Sequence, residues 1–190
     1  VMGLGTLYAW SVLIGPVQTY FGVERTATGL VFSISMAVFT LAVMVAPRLY
    51  AGWRLSVVGV IACILGAAGL AFAAIAPSFV IFLVAYGGLF AAASGFGYSA
   101  GLQMAVTSGV AQPGLATGVI VAAFALGAGV LGPLMGQISA SSTLTAALLL
   151  PAAALSVVGI LSFAVQRVCS GLEAKFPAHL RAADTRLRGQ

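Results

Sequence analysis

The sequence predicts an all-α integral membrane protein with six transmembrane helices, and three observations support this class. Apolar residues make up 62% of the 190 residues and charged residues only 6%, whereas soluble proteins carry about 25% charged residues. The mean hydropathy is +1.16. Residues 55–166 contain no Asp, Glu, Lys or Arg, so a soluble surface could not be built from them. Membrane-crossing helices of about 20 apolar residues account for all three observations.

The first apolar stretch has two unusual features. Gly15-Pro16 is expected to interrupt it, because proline removes a backbone donor and kinks a helix. No charged flank precedes Val1, so we expect the first span to be truncated. All six spans belong to one bundle, residues 1–166. The predicted spans are residues 1–20, 29–47, 55–76, 79–106, 115–138 and 145–166.

Short segments of different composition separate the spans. Glu24 and Arg25 are expected in a surface loop after the first span, and Tyr50 and Trp53 are expected to anchor the next loop at the membrane interface. The predicted loops and turns are 22–28, 48–54, Pro77-Ser78, 107–114 and 139–143.

The distribution of cations predicts the topology. Seven of the eight Lys and Arg residues follow spans two and six, and only Arg25 follows span one. The positive-inside rule then places both termini in the cytoplasm, and we expect a bacterial inner (plasma) membrane. The net charge of +5 favours contact with anionic membrane lipid, and no basic patch with interleaved aromatics indicates a nucleic-acid partner. The seven residues are Arg48, Arg54, Arg167, Lys175, Arg181, Arg186 and Arg188.

Residues 167–190 are expected to form a cytoplasmic tail or the start of a central loop. Leu180 and Leu187 fall on one helical face, and Asp184 and Arg188 stand four residues apart on another. This spacing predicts a short amphipathic helix. A solvated, unstructured tail is the alternative.

Glycines at helical spacing predict close helix packing. Small residues four apart flatten a helix face, so that a second helix can approach by van der Waals contact. Pairs of glycines four residues apart occur three times in or next to spans four and five. In the last pair, a proline directly follows the first glycine. The predicted packing residues are Gly97, Gly101, Gly114, Gly118, Gly132, Pro133 and Gly136.

Three motifs in order carry a resemblance to a known family. They are Tyr-Ala-Trp-Ser from Tyr8 in the first span, Gly-x-Gly-Tyr ending at Tyr98 in the fourth, and Gly-Leu-Ala-Thr-Gly from Gly114 in the fifth. Together they resemble major facilitator superfamily transporters of the oxalate/formate antiporter and monocarboxylate transporter-like group. The resemblance covers about residues 1–165. It implies the amino-terminal six-helix half of the fold, with two inverted three-helix repeats, and alternating-access transport of small organic anions.

The sequence departs from the family pattern in its loops. The family usually carries Gly-x-x-x-Asp-Arg-x-Gly-Arg-Arg between spans two and three, whereas this chain keeps Gly52 and Arg54 but has no Asp there. Between spans four and five, the family usually has a turn rich in aromatic residues, proline and arginine. Only Pro113-Gly114 of that turn is present here. The conformational latch attributed to the first motif is therefore in doubt.

Two helical faces are candidate cavity walls, because each combines a tyrosine with small or weakly polar neighbours. The first face contains Gly5, Tyr8, Ser11, Gly15 and Gln18. The second contains Gly87, Ala91, Ser94, Tyr98 and Gly101. The candidate substrate-binding residues are Tyr8, Trp10, Ser11, Gln18, Ser94 and Tyr98.

The tyrosines carry the binding hypothesis. The resemblance implies a carboxylate substrate, and we expect the hydroxyls of Tyr8 and Tyr98 to donate hydrogen bonds to it while Trp10 shapes the cavity. Alternatively, each tyrosine bonds a backbone carbonyl or reaches the interface, and Trp10 is a packing residue.

The spans contain no ionisable residue other than Tyr and Cys, which excludes a proton relay through Asp, Glu or His. A cation for an anionic substrate must come from elsewhere, such as a carboxy-terminal six-helix half or a second copy of the chain. Cys63 and Cys169 have no metal or disulfide spacing and are expected to be packing residues. Neither an enzyme nor a cofactor is indicated, since there is no nucleophile with a base, phosphate loop or metal cluster.

A second function class remains open. The chain could be a non-transporting six-span interaction or sensory protein, or a degenerate half-transporter acting as a partner. A reading frame that continues into six further spans favours the transporter, and a stop codon favours the alternative.

Overall fold

The computed structural model of the protein describes residues 2–49, 54–107, 112–141 and 143–175, and every regular element in these ranges is a helix. We number six helical segments in chain order. Five of them, α2 to α6, are long and apolar enough to cross a membrane. The predicted all-helical membrane class is confirmed at this level. The segments are α1 (3₁₀-helix Met2–Ala9 continuing as α-helix Trp10–Phe21), α2 (Arg25–Leu49), α3 (Leu55–Ala74), α4 (Phe79–Thr107), α5 (Pro113–Ser141) and α6 (Leu144–Lys175).

Segment α1 changes its helical geometry before the proline rather than at it. The α-helix Trp10–Phe21 runs through Pro16, and the tighter 3₁₀ turn lies before it. Leu4, Leu7 and Trp10 are spaced by three residues and are at most 3% exposed. This spacing places them on one side of a helix with three residues per turn. The three-residue spacing of these buried apolar side chains therefore matches the 3₁₀ geometry of the segment.

Most helices are longer than the sequence predicted. Segment α2 begins at Arg25, so the first connection is Gly22–Glu24, and α6 continues to Lys175. Gly22 ends α1 with a φ of +64°, a left-handed conformation that glycine adopts without a Cβ clash. The headgroup layers extend the bilayer beyond its hydrocarbon core, so a helix can continue there with polar residues. Charged residues therefore did not mark the ends of the helices.

Some predicted features lie outside the described residues. These are the anchors Tyr50 and Trp53, half of the turn between spans four and five, and the amphipathic helix expected near the end of the chain.

Segments α3 and α4 form the centre of the bundle. Of their apolar stretches, 56% and 50% are buried, against 11% for α5. Segment α6 packs along α3, α2 along α4, and α5 along the 3₁₀ part of α1. The Thr145 hydroxyl donates to the Ala74 carbonyl at 3.0 Å, and Gln166 Nε2 donates to the Ser56 carbonyl at 3.0 Å. These two bonds join opposite ends of an antiparallel α3–α6 pair.

Segment α4 contains a π-helical stretch, Leu83–Phe90, that the sequence did not predict. Its Tyr86 and Phe90 are almost completely buried. A Cβ on Gly69 of α3 would lie 2.7 Å from the Phe90 nitrogen. The backbone of the π-helical stretch therefore packs directly against Gly69.

Candidate functional site

Tyr8 and Tyr98 were selected from separate motifs, and in the structure both of their rings contact the ring of Phe124. The Tyr8 ring meets Phe124 edge-on, with centroids 5.6 Å apart, and the Tyr98 ring lies 4.8 Å from Phe124. Phe39 completes the group, 5.8 Å from Tyr98 and 5.7 Å from Phe124. We call these four residues the tyrosine cluster. Because they come from α1, α2, α4 and α5, the cluster joins four helices at one point.

Two glycines allow α1 and α5 to approach closely beside the cluster. A Cβ on Gly5 would overlap the Phe124 carbonyl oxygen, and a Cβ on Gly127 would overlap the Met2 carbonyl oxygen. The two backbones are therefore in direct contact, and this contact brings Tyr8 to Phe124. Sequence analysis assigned Gly5 to a cavity face and did not select Gly127.

The cluster has a buried base and an accessible edge. Phe124 and Phe39 are 3% and 9% exposed, whereas Tyr98 is half-buried and Tyr8 is 48% exposed. Neither tyrosine hydroxyl makes a hydrogen bond within the described part of the chain. The Tyr8 phenol is therefore accessible to a ligand, and aromatic contacts hold its ring in place.

The predicted face of α1 is largely accessible. Ser11 and Gly15 are exposed and Gln18 is half-buried, on the same side of the segment as Tyr8. Gly5 differs, because it is buried against α5. Most of this face can therefore line a cavity.

The predicted face of α4 lies mainly inside the bundle. Gly87, Ala91, Ser94 and Gly101 are all buried, and only Tyr98 is partly accessible. A Cβ on Gly87 would lie 3.4 Å from the hydroxyl oxygen of Ser35 in α2. Packing against α2 therefore occupies most of this face, and Ser94 does not share the accessible edge of Tyr98.

Trp10 belongs to a second aromatic group, apart from the tyrosine cluster. Its ring lies 5.1 Å from Tyr86 and 6.2 Å from Phe82, and it is 3% exposed. The buried Trp10 Nε1, Tyr86 hydroxyl and Ser94 hydroxyl have no hydrogen-bond partner in the part of the chain that the structure describes. The position of Trp10 thus agrees with the alternative hypothesis that it is a packing residue.

The predicted packing glycines differ in their surroundings. Gly97 lies against Leu4 of α1 and Ala62 of α3, and Gly101 is buried. In α5, a Cβ on Gly132 would lie 3.3 Å from Ala9, and one on Gly136 would lie 2.7 Å from Val12. Pro133 is exposed in the continuous α5 helix, and no described residue lies within 4 Å of a Cβ added to Gly114 or Gly118.

A cleft of about 650 Å³ lies between the ends of α1 and α5 and the start of α6. Several hydroxyl groups line it, and three of them already donate to backbone carbonyls. Thr19 donates to Gly15, Ser139 to Gly136 and Thr145 to Ala74. The cleft therefore offers less donor capacity than its composition suggests.

The accessible chemistry of the described residues is that of phenol groups beside aromatic walls. No group of three His, Cys, Asp or Glu side chains that could hold a metal occurs in the described ranges. A phenol can donate a hydrogen bond to a carboxylate while its ring keeps apolar contacts. The tyrosine cluster is therefore our candidate binding site.

Comparison of the sequence with protein-family models found no match, and no curated protein of similar sequence was found. The functional interpretation therefore depends on the geometry of the tyrosine cluster and on the sequence motifs.

Proposed function

We propose that this chain is the amino-terminal six-helix half of a secondary transporter that moves small organic anions, with carboxylates as the leading class. The observation that carries the proposal is the meeting of Tyr8 and Tyr98 on Phe124, with the Tyr8 phenol accessible. Their separate motifs resemble the oxalate/formate antiporter and monocarboxylate transporter-like group of the major facilitator superfamily.

The cluster suits a carboxylate for a physical reason. Hydrogen bonds from neutral donors to an ionised acceptor are stronger than those between neutral groups. In a site of low dielectric, phenols can bind an anion without placing a permanent charge in the membrane. Phe39 and Phe124 would form the apolar wall against which a small substrate is held.

The proposed site needs a second half. The spans of this chain contain no cation, so full charge compensation requires a residue from another bundle or another copy. Only 11% of the apolar stretch of α5 is buried, and this leaves a long apolar surface beside the cluster. A second six-helix bundle on this surface would enclose the site and rock against the first during alternating access.

Substitution of the two tyrosines tests the proposal. In the transporter assembled with its second bundle, Tyr8→Phe and Tyr98→Phe should each weaken oxalate or formate binding roughly ten- to a hundredfold. That range corresponds to loss of a hydrogen bond to a charged group, about 1.5–3 kcal/mol. Both variants keep the aromatic ring, and competition against labelled substrate measures the affinity.

Tyr20→Phe is the matched control, because Tyr20 is 56% exposed and packs on Phe21 away from the cluster. Its affinity for oxalate or formate should equal that of the unmodified protein when both are expressed at the same level. Unchanged affinity in both cluster variants would show that the tyrosines are structural and would reject this site.

A further inference from the structure

A second cleft lies between the start of α3 and the part of α6 from Phe163 to Arg167. It has a volume of about 340 Å³ and combines apolar walls with a polar end that contains two arginines. Its lining residues are Arg54, Val57, Val60, Ile61, Ile64, Phe163, Gln166 and Arg167.

The walls of this cleft are held in place and face outward. The Gln166 side chain donates to the Ser56 carbonyl at 3.0 Å, which joins the two helices beside the arginines. Ile61, Ile64 and Phe163 are 38%, 55% and 49% exposed. In a membrane-spanning helix pair, such side chains contact the acyl chains of lipids.

The two arginines lie at one end of the cleft. Arg54 directly precedes α3, and the Arg167 guanidinium carbon lies 5.1 Å from the centroid of the Phe163 ring. Both side chains are exposed. The mouth of the cleft therefore carries two guanidinium groups.

The length of the cleft matches one leaflet of the bilayer. Ten residues separate Arg54 from Ile64, and a rise of 1.5 Å per residue gives about 15 Å. The hydrocarbon core is about 30 Å thick, so one leaflet contributes about 15 Å. A headgroup at the arginines would place the end of its acyl chain near Ile64.

We propose that this cleft binds one anionic phospholipid, with the phosphate between Arg54 and Arg167 and an acyl chain along Val57, Ile61 and Ile64. The arginines supply charge complementarity, and the apolar walls select a ligand with a hydrocarbon chain. The positive-inside distribution assigns this end to the cytoplasmic leaflet, where anionic lipids attract basic side chains. This lipid site is independent of the proposed substrate site.

Lipid retention by the purified chain tests the proposal. Native mass spectrometry in detergent would measure binding of phosphatidylglycerol and phosphatidylcholine with identical acyl chains. Phosphatidylglycerol should bind at least tenfold more tightly. A contribution of about 1 kcal/mol per arginine predicts a fivefold loss for Arg54→Gln and roughly thirtyfold for Arg54→Gln with Arg167→Gln.

Two further variants separate the cleft from general surface charge. Arg48→Gln removes a cation from the end of neighbouring α2, outside the cleft, and should change affinity less than twofold. Ile64→Trp should narrow the apolar part and weaken binding at least fivefold with both arginines present. Melting temperatures of all variants would verify that the bundle remains folded.

Three results would overturn the proposal. One is equal retention of both lipids by the unmodified chain. Another is an equal effect of Arg48→Gln and Arg54→Gln, which would indicate surface attraction alone. The third is binding of glycerol 3-phosphate as tightly as phosphatidylglycerol, which would indicate a soluble phosphate ligand.

Discussion

Individual polar residues of this protein follow two patterns. Many hydroxyl groups bond a carbonyl of their own helix, as Ser35 does with Val31 at 2.7 Å. Trp10, Tyr86 and Ser94 differ, since each has a buried polar atom without a hydrogen-bond partner among the described residues. An unsatisfied buried polar group costs about 1–3 kcal/mol. These three atoms are therefore a local weakness in an otherwise well-packed bundle.

At this scale we predict that Tyr86→Phe stabilises the chain by about 1 kcal/mol. The substitution keeps the contacts of a fully buried ring with Trp10 and Phe90 and removes a hydroxyl that has no hydrogen-bond partner within the described ranges. Unfolding in a titration with sodium dodecyl sulfate would measure the change. Tyr20→Phe, at an exposed position, should change stability by less than about 0.5 kcal/mol. A clear destabilisation by Tyr86→Phe would mean that the hydroxyl has a stabilising partner.

Individual helices of the bundle meet through glycine contacts that differ from the ones expected. Gly97, Gly132 and Gly136 lie at close helix contacts, as their spacing suggested, but Gly114 and Gly118 do not. The closest contact of α1 with α5 instead uses Gly5 and Gly127. Glycine spacing indicates which faces can approach closely, and the arrangement of the helices decides which ones do.

A pair of matched substitutions in α1 tests the importance of this contact. Gly5→Ala would place a Cβ against the Phe124 carbonyl, so we predict a loss of about 1–3 kcal/mol. Gly15→Ala meets nothing within 4 Å and should gain up to about 1 kcal/mol from its higher helix propensity. Both values come from the same detergent-unfolding titration. A neutral Gly5→Ala would show that the α1–α5 contact can separate without cost.

The whole molecule exposes much of its apolar surface, as a membrane protein must. Large apolar residues such as Leu30, Phe72, Ile75, Ile160 and Leu161 are 57–68% exposed. Soluble monomers rarely expose large contiguous apolar patches. Lipid can cover α3 and α6, and the proposed second bundle would cover part of α5. The function we propose is therefore a property of an assembly rather than of one bundle.

Labelling of single cysteines would test the predicted topology. In a chain with Cys63→Ala and Cys169→Ala, we expect Ser78→Cys between α3 and α4 to react with a membrane-impermeant maleimide outside intact cells. Gln112→Cys, which precedes α5, should react only after the membrane is permeabilised. Both positions are exposed in the structure. The reverse pattern would invert the topology.

Transport by the isolated chain is the corresponding functional test. Reconstituted alone in liposomes, this bundle should show no saturable exchange of oxalate or formate, because alternating access requires a second bundle. Exchange should appear when a second six-helix half is present. Saturable exchange by this chain alone would show that two copies form the site.

The sequence by itself determined the helical membrane class and the approximate positions of its apolar stretches, because long uncharged stretches are incompatible with water. It also selected Tyr8 and Tyr98 from separate motifs. It overlooked Phe39 and Phe124, because a phenylalanine in an apolar helix has no local signal that distinguishes a cluster from lipid contact.

Only the tertiary structure decided which predicted faces are accessible. Tyr8 reaches Phe124, which Tyr98 also contacts, because α1 and α5 approach through Gly5 and Gly127. Ser94 is buried, and Gly87 on the same predicted face packs against α2. Helical periodicity places residues on one side of a helix but contains no information about what covers that side. That information is in the packing, which depends on contacts between residues far apart in the chain.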